Sequence, residues 1–174
     1  MSMNEMKQTE TLPTILVASV QPKQLDAVTQ QLKAIQGITY FAPVTGRFDL
    51  VIQLKTASSQ QVYEIVNKVR AISGVTATRT LSAFEGFTDG KNFQSTDALA
   101  IVMLKVNEPA QKILQSLRQT QQVYNAFITP GEFDVVATVY GRDYEQIFSQ
   151  VRSIGQIQGI SATETLFAYK PIWA

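Results

Sequence analysis

The chain has 174 residues, 45% hydrophobic and 17% charged, an ordinary globular make-up with length for two small domains. Fifteen Lys and Arg stand against fourteen Asp and Glu, with no basic run that would neutralise several phosphates, so no direct nucleic-acid partner is expected. The absence of Cys excludes disulfides and thiolate nucleophiles, and the absence of His excludes imidazole bases, proximal haem histidines and most zinc sites, so no cofactor and no metal are expected. The opening residues MSMNEMKQTET carry no apolar segment of the signal-peptide or anchor type, and a cytoplasmic protein with no membrane partner is the expectation.

In chain order, Thr14 to Val20 is an apolar, β-branched run that Pro22 ends, and it predicts a strand. Leu25, Val28, Leu32 and Ile35 then recur on one helical face, with Gly37 at the expected C-terminal left-handed position. Ile38 to Val44 and Phe48 to Lys55 predict two strands around the turn Thr45-Gly46-Arg47. Ser58 and Gln61 resemble a capping box opening a helix that carries Val62, Val66, Val69 and Ile72; Gly74 closes it, and Val75 to Phe84 predicts a fourth strand. The same order returns as strand Ala100–Val106, helix Pro109–Thr120, strands Val123–Thr129 and Glu132–Val139, helix Asp143–Gly155 and strand Ile160–Ala168.

The recurrence is an internal duplication. Gly46-Arg-Phe-Asp49 matches Gly131-Glu-Phe-Asp134 and Gly74-Val-Thr-Ala-Thr-Arg-Thr-Leu81 matches Gly159-Ile-Ser-Ala-Thr-Glu-Thr-Leu166, both at an offset of 85. The first strand needs an offset of 86, which places one extra residue near Asn107-Glu108-Pro109. The expected organisation is a disordered tail 1–13, a first module 14–84, a polar linker 85–97, a second module 98–170 and a tail 171–174. Phe87 and Phe93 are apolar exceptions that would pin the linker to a module, and the Tyr169-to-Trp173 tail reads either as a docking segment or as a frayed end.

Each βαββαβ module predicts an α+β, ferredoxin-like fold, an antiparallel sheet with two helices on one face. In the first strand Ile15 and Val17 point one way and Leu16, Ala18 and Val20 the other, so both faces are apolar, and Ile101 and Met103 against Val102, Leu104 and Val106 repeat this. A sheet with one face open to water would alternate apolar and polar residues, so the second face is expected to be covered by the sibling module in an intrachain pseudo-dimer. Replacing Ala18 or Leu104 by Lys is expected to unfold the chain or separate the modules.

The Thr-Gly-Arg-Phe-Asp-Leu-Val-Ile turn and strand, the Gly-Val-Thr-Ala-Thr-Arg-Thr strand and the element order resemble the effector-binding (RAM) domain of the Lrp/AsnC leucine-responsive transcription regulators, which is related to ACT domains. The resemblance covers Thr14 to Phe84 and Ala100 to Tyr169; no helix-turn-helix is expected before Thr14, and the domain occurs twice in one chain. It implies a dimeric α+β barrel arrangement within one chain, further assembly as a homo-oligomer, and an amino-acid effector bound near the turns between the second and third strands. Carried over, the ligand-binding candidates are Thr45, Gly46, Arg47 and Asp49, with Gly131, Glu132 and Asp134 in the second copy. The alternative at these positions is that both glycines serve turn geometry and both Asp residues bond local backbone amides.

Arg79 and Glu164 occupy equivalent positions and would pair across a pseudo-dyad, while Tyr63, Tyr144 and Phe148 are expected to pack against neighbouring elements. With no acid–base pair evident, a non-catalytic regulatory protein is the expectation, binding an amino acid or a partner regulator of the same family that carries the DNA-binding part. The alternatives are a cofactor-independent, monooxygenase-like enzyme of the dimeric α+β barrel type and a pure oligomeric scaffold.

Overall fold

The computed structural model describes residues 12–89, 92–169 and 171–173. The first module comprises β1 (Thr14–Val20), a short 3-10 turn (Pro22–Gln24), α1 (Leu25–Leu32), β2 (Ile38–Thr45), β3 (Leu50–Leu54), α2 (Ser59–Arg70) and β4 (Val75–Ser82). Then come β5 (Glu85–Thr88), β6 (Ala98–Val106), α3 (Ala110–Arg118), β7 (Val123–Ile128), β8 (Val135–Gly141), α4 (Tyr144–Gly155), β9 (Ile160–Ala168) and β10 (Ile172–Trp173). The expected tail 1–13 falls almost wholly outside the described residues.

The local signals act as their chemistry dictates. Ser58 accepts from the Gln61 backbone N–H at 3.2 Å while the Gln61 amide oxygen reaches back to the Ala57 N–H at 2.8 Å. Asp143 and Gln146 repeat the device at the head of α4, with Gln146 accepting from the Arg142 N–H.

The strands form one ten-stranded sheet in the order β4-β1-β3-β2-β9-β6-β8-β7-β5, with β10 also on β2. β9 of the second module pairs with β2 of the first through Val44 with Ala168 and Thr45 with Phe167. On the far side the chain leaving β4 runs straight into β5, which pairs antiparallel with β7, Phe87 opposite Ala126. β10 pairs with β2 in the equivalent register, Ile172 opposite Phe41, each partner displaced by 85 positions. Each module thus lends the end of its last strand to its sibling, and strands of the two modules pair at both junctions of the barrel. Part of the segment expected to be linker, Glu85–Thr88, is therefore a strand, and the tail segment is one as well. Gly86 suits this place, because a Cβ there would lie 2.4 Å from the Ala126 carbonyl oxygen and 2.2 Å from the Phe127 ring.

Three apolar clusters fill the molecule. Leu16, Ala18 and Val20 of β1 pack under α1 and α2 with Val28, Leu32, Ile65 and Val69. Val102 and Leu104 of β6 pack under α3 and α4 with Ile113, Leu117 and Ile154. The third cluster belongs to both modules and lies inside the barrel: Ile15, Val17, Val51 and Phe48 meet Ile101, Met103, Phe127, Phe133 and Leu166. The pseudo-dimer is as expected, but its shared face is the one carrying Ile15, Val17, Ile101 and Met103. Ala18 and Leu104 lie under the helices, because the helices claim the opposite face of each first strand.

Phe93 makes edge-to-face contacts with Tyr124 and Tyr140, ring centroids 5.1 and 5.7 Å apart, so the linker is pinned as expected. Tyr63 corrects the expectation that it packs against a neighbouring element, being 64% exposed, while Phe148 and Tyr144 are 55% and 45% exposed. Tyr144 meets the Phe167 ring edge-on and Phe148 packs against it at a tilt, with ring centroids 5.9 and 4.9 Å apart, as expected of packing residues.

Tyr40 on β2 is buried and its hydroxyl hydrogen-bonds Thr138 of β8; burial pushes its pKa up to about 12 from an ordinary value of 10.0. A raised folded pKa means the stabilisation is whole below the unfolded pKa and is lost as pH climbs through the folded one. Stability is therefore expected to fall by roughly 3 kcal/mol between about pH 10 and pH 12, read as a shift in urea midpoint, and Tyr40→Phe is expected to flatten that loss.

Candidate functional site: the paired turns and a polar cleft

The two β2–β3-type turns meet at the pseudo-dyad. Gly46 has φ +133° and a Cβ there would lie 2.6 Å from Leu166 of the other module, so left-handed backbone and close approach both require glycine. Gly131 has φ +155° with only the Thr129 carbonyl oxygen, 3.9 Å away, near its absent Cβ. Thr45 ends β2 opposite Phe167, and Phe48 and Phe133 turn inward to the barrel cluster.

Asp49 and Asp134 hold backbone. The Asp49 carboxylate accepts from the Val20 N–H at 2.8 Å, and Asp134 accepts from the Val106 N–H at the same distance. Both amides stand just after a register shift, between Ser19 and Val20 and between Lys105 and Val106, where the ladder leaves an N–H without its strand partner. The aspartates' own amides donate to the Ala18 and Leu104 carbonyls at 2.9 Å, so each turn is riveted to the end of a neighbouring strand. The matched amides, Val20 and Val106, are 86 positions apart, the offset the first strand requires. Asp49→Ala and Asp134→Ala, which strand these amides, are each expected to lower unfolding free energy by about 1–3 kcal/mol in urea titrations.

Arg47 and Glu132 pair directly, Arg47 Nη1 to Glu132 Oε1 at 2.8 Å, and Arg47 Nε also reaches Glu164 at 3.1 Å. Arg79 pairs with Glu132. The expected Arg79–Glu164 pair is thus replaced by crossed pairs, because the turn residues reach over the dyad first. Of the seven expected ligand residues, the structure brings Arg47 and Glu132 together and leaves the aspartates on separate strand ends.

A second feature escaped the sequence reading. A cleft of about 680 Å³ opens in the second module between the inter-module segment, the end of α3 and the start of α4; Asp89, Asp97, Arg118, Gln122, Tyr140 and Arg142 are among its lining residues. Arg118 lies over the Phe87 ring at 4.7 Å, and among the described residues neither Arg118 nor Arg142 forms an ion pair. Tyr140 is almost wholly buried, and its pKa is raised by that burial first and by the Asp89 and Asp97 carboxylates next. Gln122 adopts φ +66°, a costly conformation for a non-glycine residue, and its side chain accepts from Gln150 at 2.7 Å. The signal lay in the differences between copies: at the offset of 85, Gln122 stands where the first copy has Gly37, and Tyr140 where it has Lys55.

The Lrp/AsnC ligand binding domain matches the chain twice, over residues 14–92 and 99–173. Comparison with curated proteins gives no match. Among solved structures, the siroheme decarboxylase NirDL superposes with a TM-score of 0.69 at 13% identity, covering 91% of this chain and 71% of that one. The same enzyme in complex with an iron-uroporphyrin III analogue gives 0.69 at 12% identity, again covering 91% and 71%. A variant chlorite dismutase from Candidatus Nitrospira defluvii gives 0.64 at 10% identity, covering 92% and 91%.

These likenesses establish a shared fold, the dimeric α+β barrel, across both modules. They also correct the expectation of a non-catalytic regulator, because this fold over the whole chain is shared with enzymes, the siroheme decarboxylase and the chlorite dismutase. The absence of His and Cys removed two kinds of chemistry and left Tyr, Arg and Asp available. With both halves matched and the barrel closed between them, the chain belongs to the Lrp/AsnC ligand binding domain family and carries that domain twice.

Proposed function

We propose that the chain is an enzyme of the dimeric α+β barrel type that acts on a carboxylate-bearing small molecule in the cleft of the second module. The observation that carries this reading is the convergence on one cleft of two guanidinium groups that form no ion pair among the described residues, two aspartates and a buried phenol. Its volume of about 680 Å³ is in the range of small-molecule sites. Arg118 and Arg142 suit a substrate carboxylate, which a planar guanidinium grips through two parallel hydrogen bonds.

Tyr140 supplies the proton. A phenol is protonated at neutral pH, and the upward pKa shift that burial, Asp89 and Asp97 give Tyr140 makes it a weak acid, suited only to a strongly basic acceptor such as the carbanion left by loss of carbon dioxide. The reaction that fits is decarboxylation without redox change. The carbon–carboxylate bond breaks, carbon dioxide leaves, the electron pair stays on carbon and takes the Tyr140 proton, and solvent returns a proton to the phenolate.

One structural neighbour is in complex with an iron-uroporphyrin III analogue. The chain has no His or Cys, and among the described residues no group of three His, Cys, Asp or Glu could hold a metal ion. These residues do not fit a resident iron centre, so an iron-bearing ring enters this reading only as a substrate whose carboxylates are recognised. The same reading includes a homo-oligomer, since Tyr63, Phe84, Phe148 and Tyr169 are exposed large apolar side chains that a neighbouring chain would cover.

Calorimetric titration with a uroporphyrin-type polycarboxylate tests the binding half of the proposal. Binding by the wild type that weakens at least about tenfold in Arg142→Ala supports it. Equal affinity in the two proteins, or no binding to either, contradicts it.

A further inference from the structure

Four charged side chains sit at the pseudo-dyad, and the duplication relates them in pairs: Arg47 corresponds to Glu132 and Arg79 to Glu164, both at the offset of 85. The structure brings each Arg of the first module onto a Glu of the second, through Arg47–Glu132, Arg47–Glu164 and Arg79–Glu132. The network rests on the equivalent rings Phe48 and Phe133, with Arg47 at 4.8 Å and 5.4 Å from their centroids and Arg79 at 5.7 Å from Phe48. The apolar residues beneath it are alike in the two copies, Phe48 matching Phe133 and Leu81 matching Leu166. Deeper in the barrel the copies differ, Ala42 standing where the second copy has Phe127 and Val17 where it has Met103, so shape contributes to pairing there while charge distinguishes the modules at the dyad.

We propose that Arg47, Arg79, Glu132 and Glu164 form a pairing code that makes the first module's barrel face accept a second module and reject another first module. Two first modules joined by the same operator would crowd four guanidinium groups at the dyad, and two second modules would crowd four carboxylates. Only the mixed pair is neutral there. The strand exchange by β5 and β10 makes pairing with another chain's module geometrically equivalent to pairing within the chain, so this selection is needed wherever chains meet. The charges act mainly by penalising wrong pairs, since side chains this exposed add little to the right one.

The test uses the full chain in three forms. Glu132→Arg with Glu164→Arg makes both modules cationic, and Arg47→Glu with Arg79→Glu makes both anionic; the third form carries all four changes. Each double variant is expected to melt roughly 5 °C or more below wild type, with partial recovery as salt rises from about 0.02 to about 0.5 M. The quadruple variant, in which the code is inverted but neutral, is expected to return to within about 2 °C of wild type. Unfolded together and refolded in equal amounts, the two double variants are expected to appear in native mass spectrometry as a mixed two-chain species. Wild-type melting of the double variants, no recovery in the quadruple variant, or recovery of only unmixed species would each overturn the proposal. If a double variant does not fold alone, the quadruple variant and the mixed refolding still decide it.

Discussion

Ile101→Asp is expected to unfold the whole chain, both modules together. Ile101 is 3% exposed on β6 and belongs to the apolar cluster that both modules share. Its strand partners are Thr138 and Leu166, neither of which offers a counter-charge. An unpaired carboxylate there must either stay charged in apolar surroundings or take a proton, and in both cases the packing of Ile101 is also lost. The combined cost exceeds about 4 kcal/mol, a large share of the 5–15 kcal/mol that holds a typical domain. Ile101→Val, which removes one methylene from the same place, is expected to cost only about 0.5–1.5 kcal/mol. Circular dichroism in urea reads both. A wild-type midpoint for Ile101→Asp, or loss confined to one module, would show that the barrel interior is not a common core.

Tyr140→Phe is expected to lower turnover by about 10²–10⁴-fold while leaving the melting temperature close to wild type. The ring packs against Phe93 and the barrel cluster, and phenylalanine keeps that shape. What it removes is the phenolic proton, whose pKa burial, Asp89 and Asp97 raise. Substrate affinity is expected to persist, because Arg118 and Arg142 are untouched, so the loss falls on kcat and not on KM. A fall in affinity with unchanged kcat would make Tyr140 a binding residue instead.

The repeat, the strand faces and the barrel arrangement were legible because each signal occurs twice in one chain. The offset of 86 at the first strand, read from residue matching, reappears as equivalent hydrogen bonds from Val20 and Val106 to the two aspartates. Which apolar face of β1 meets the sibling was not legible, since periodicity shows that two faces are apolar and not what covers each. The strand Glu85–Thr88 was hidden for a related reason: its Gly and flanking acids read as linker, and only pairing with β7 across the dyad makes it a strand. At the turns, the sequence located the aspartates, but their attachment to amides freed by strand irregularities depends on contacts about thirty positions away. The cleft draws Asp89, Arg118 and Tyr140 from the inter-module segment, a helix end and a strand end, a grouping with no one-dimensional spacing. Its trace in the sequence was divergence between copies, above all Gln122 in the place of Gly37.

Removal of a carboxylate in the cleft of the second module, the proposed chemistry, can be followed directly in its product. The most direct measurement is mass spectrometry of a uroporphyrin-type polycarboxylate, with and without iron, incubated anaerobically with the purified chain. The account predicts a product that has lost carbon dioxide, formed by wild type and strongly diminished in Tyr140→Phe and Arg142→Ala. An unchanged substrate after prolonged incubation with wild type, or equal product from all three proteins, would contradict it.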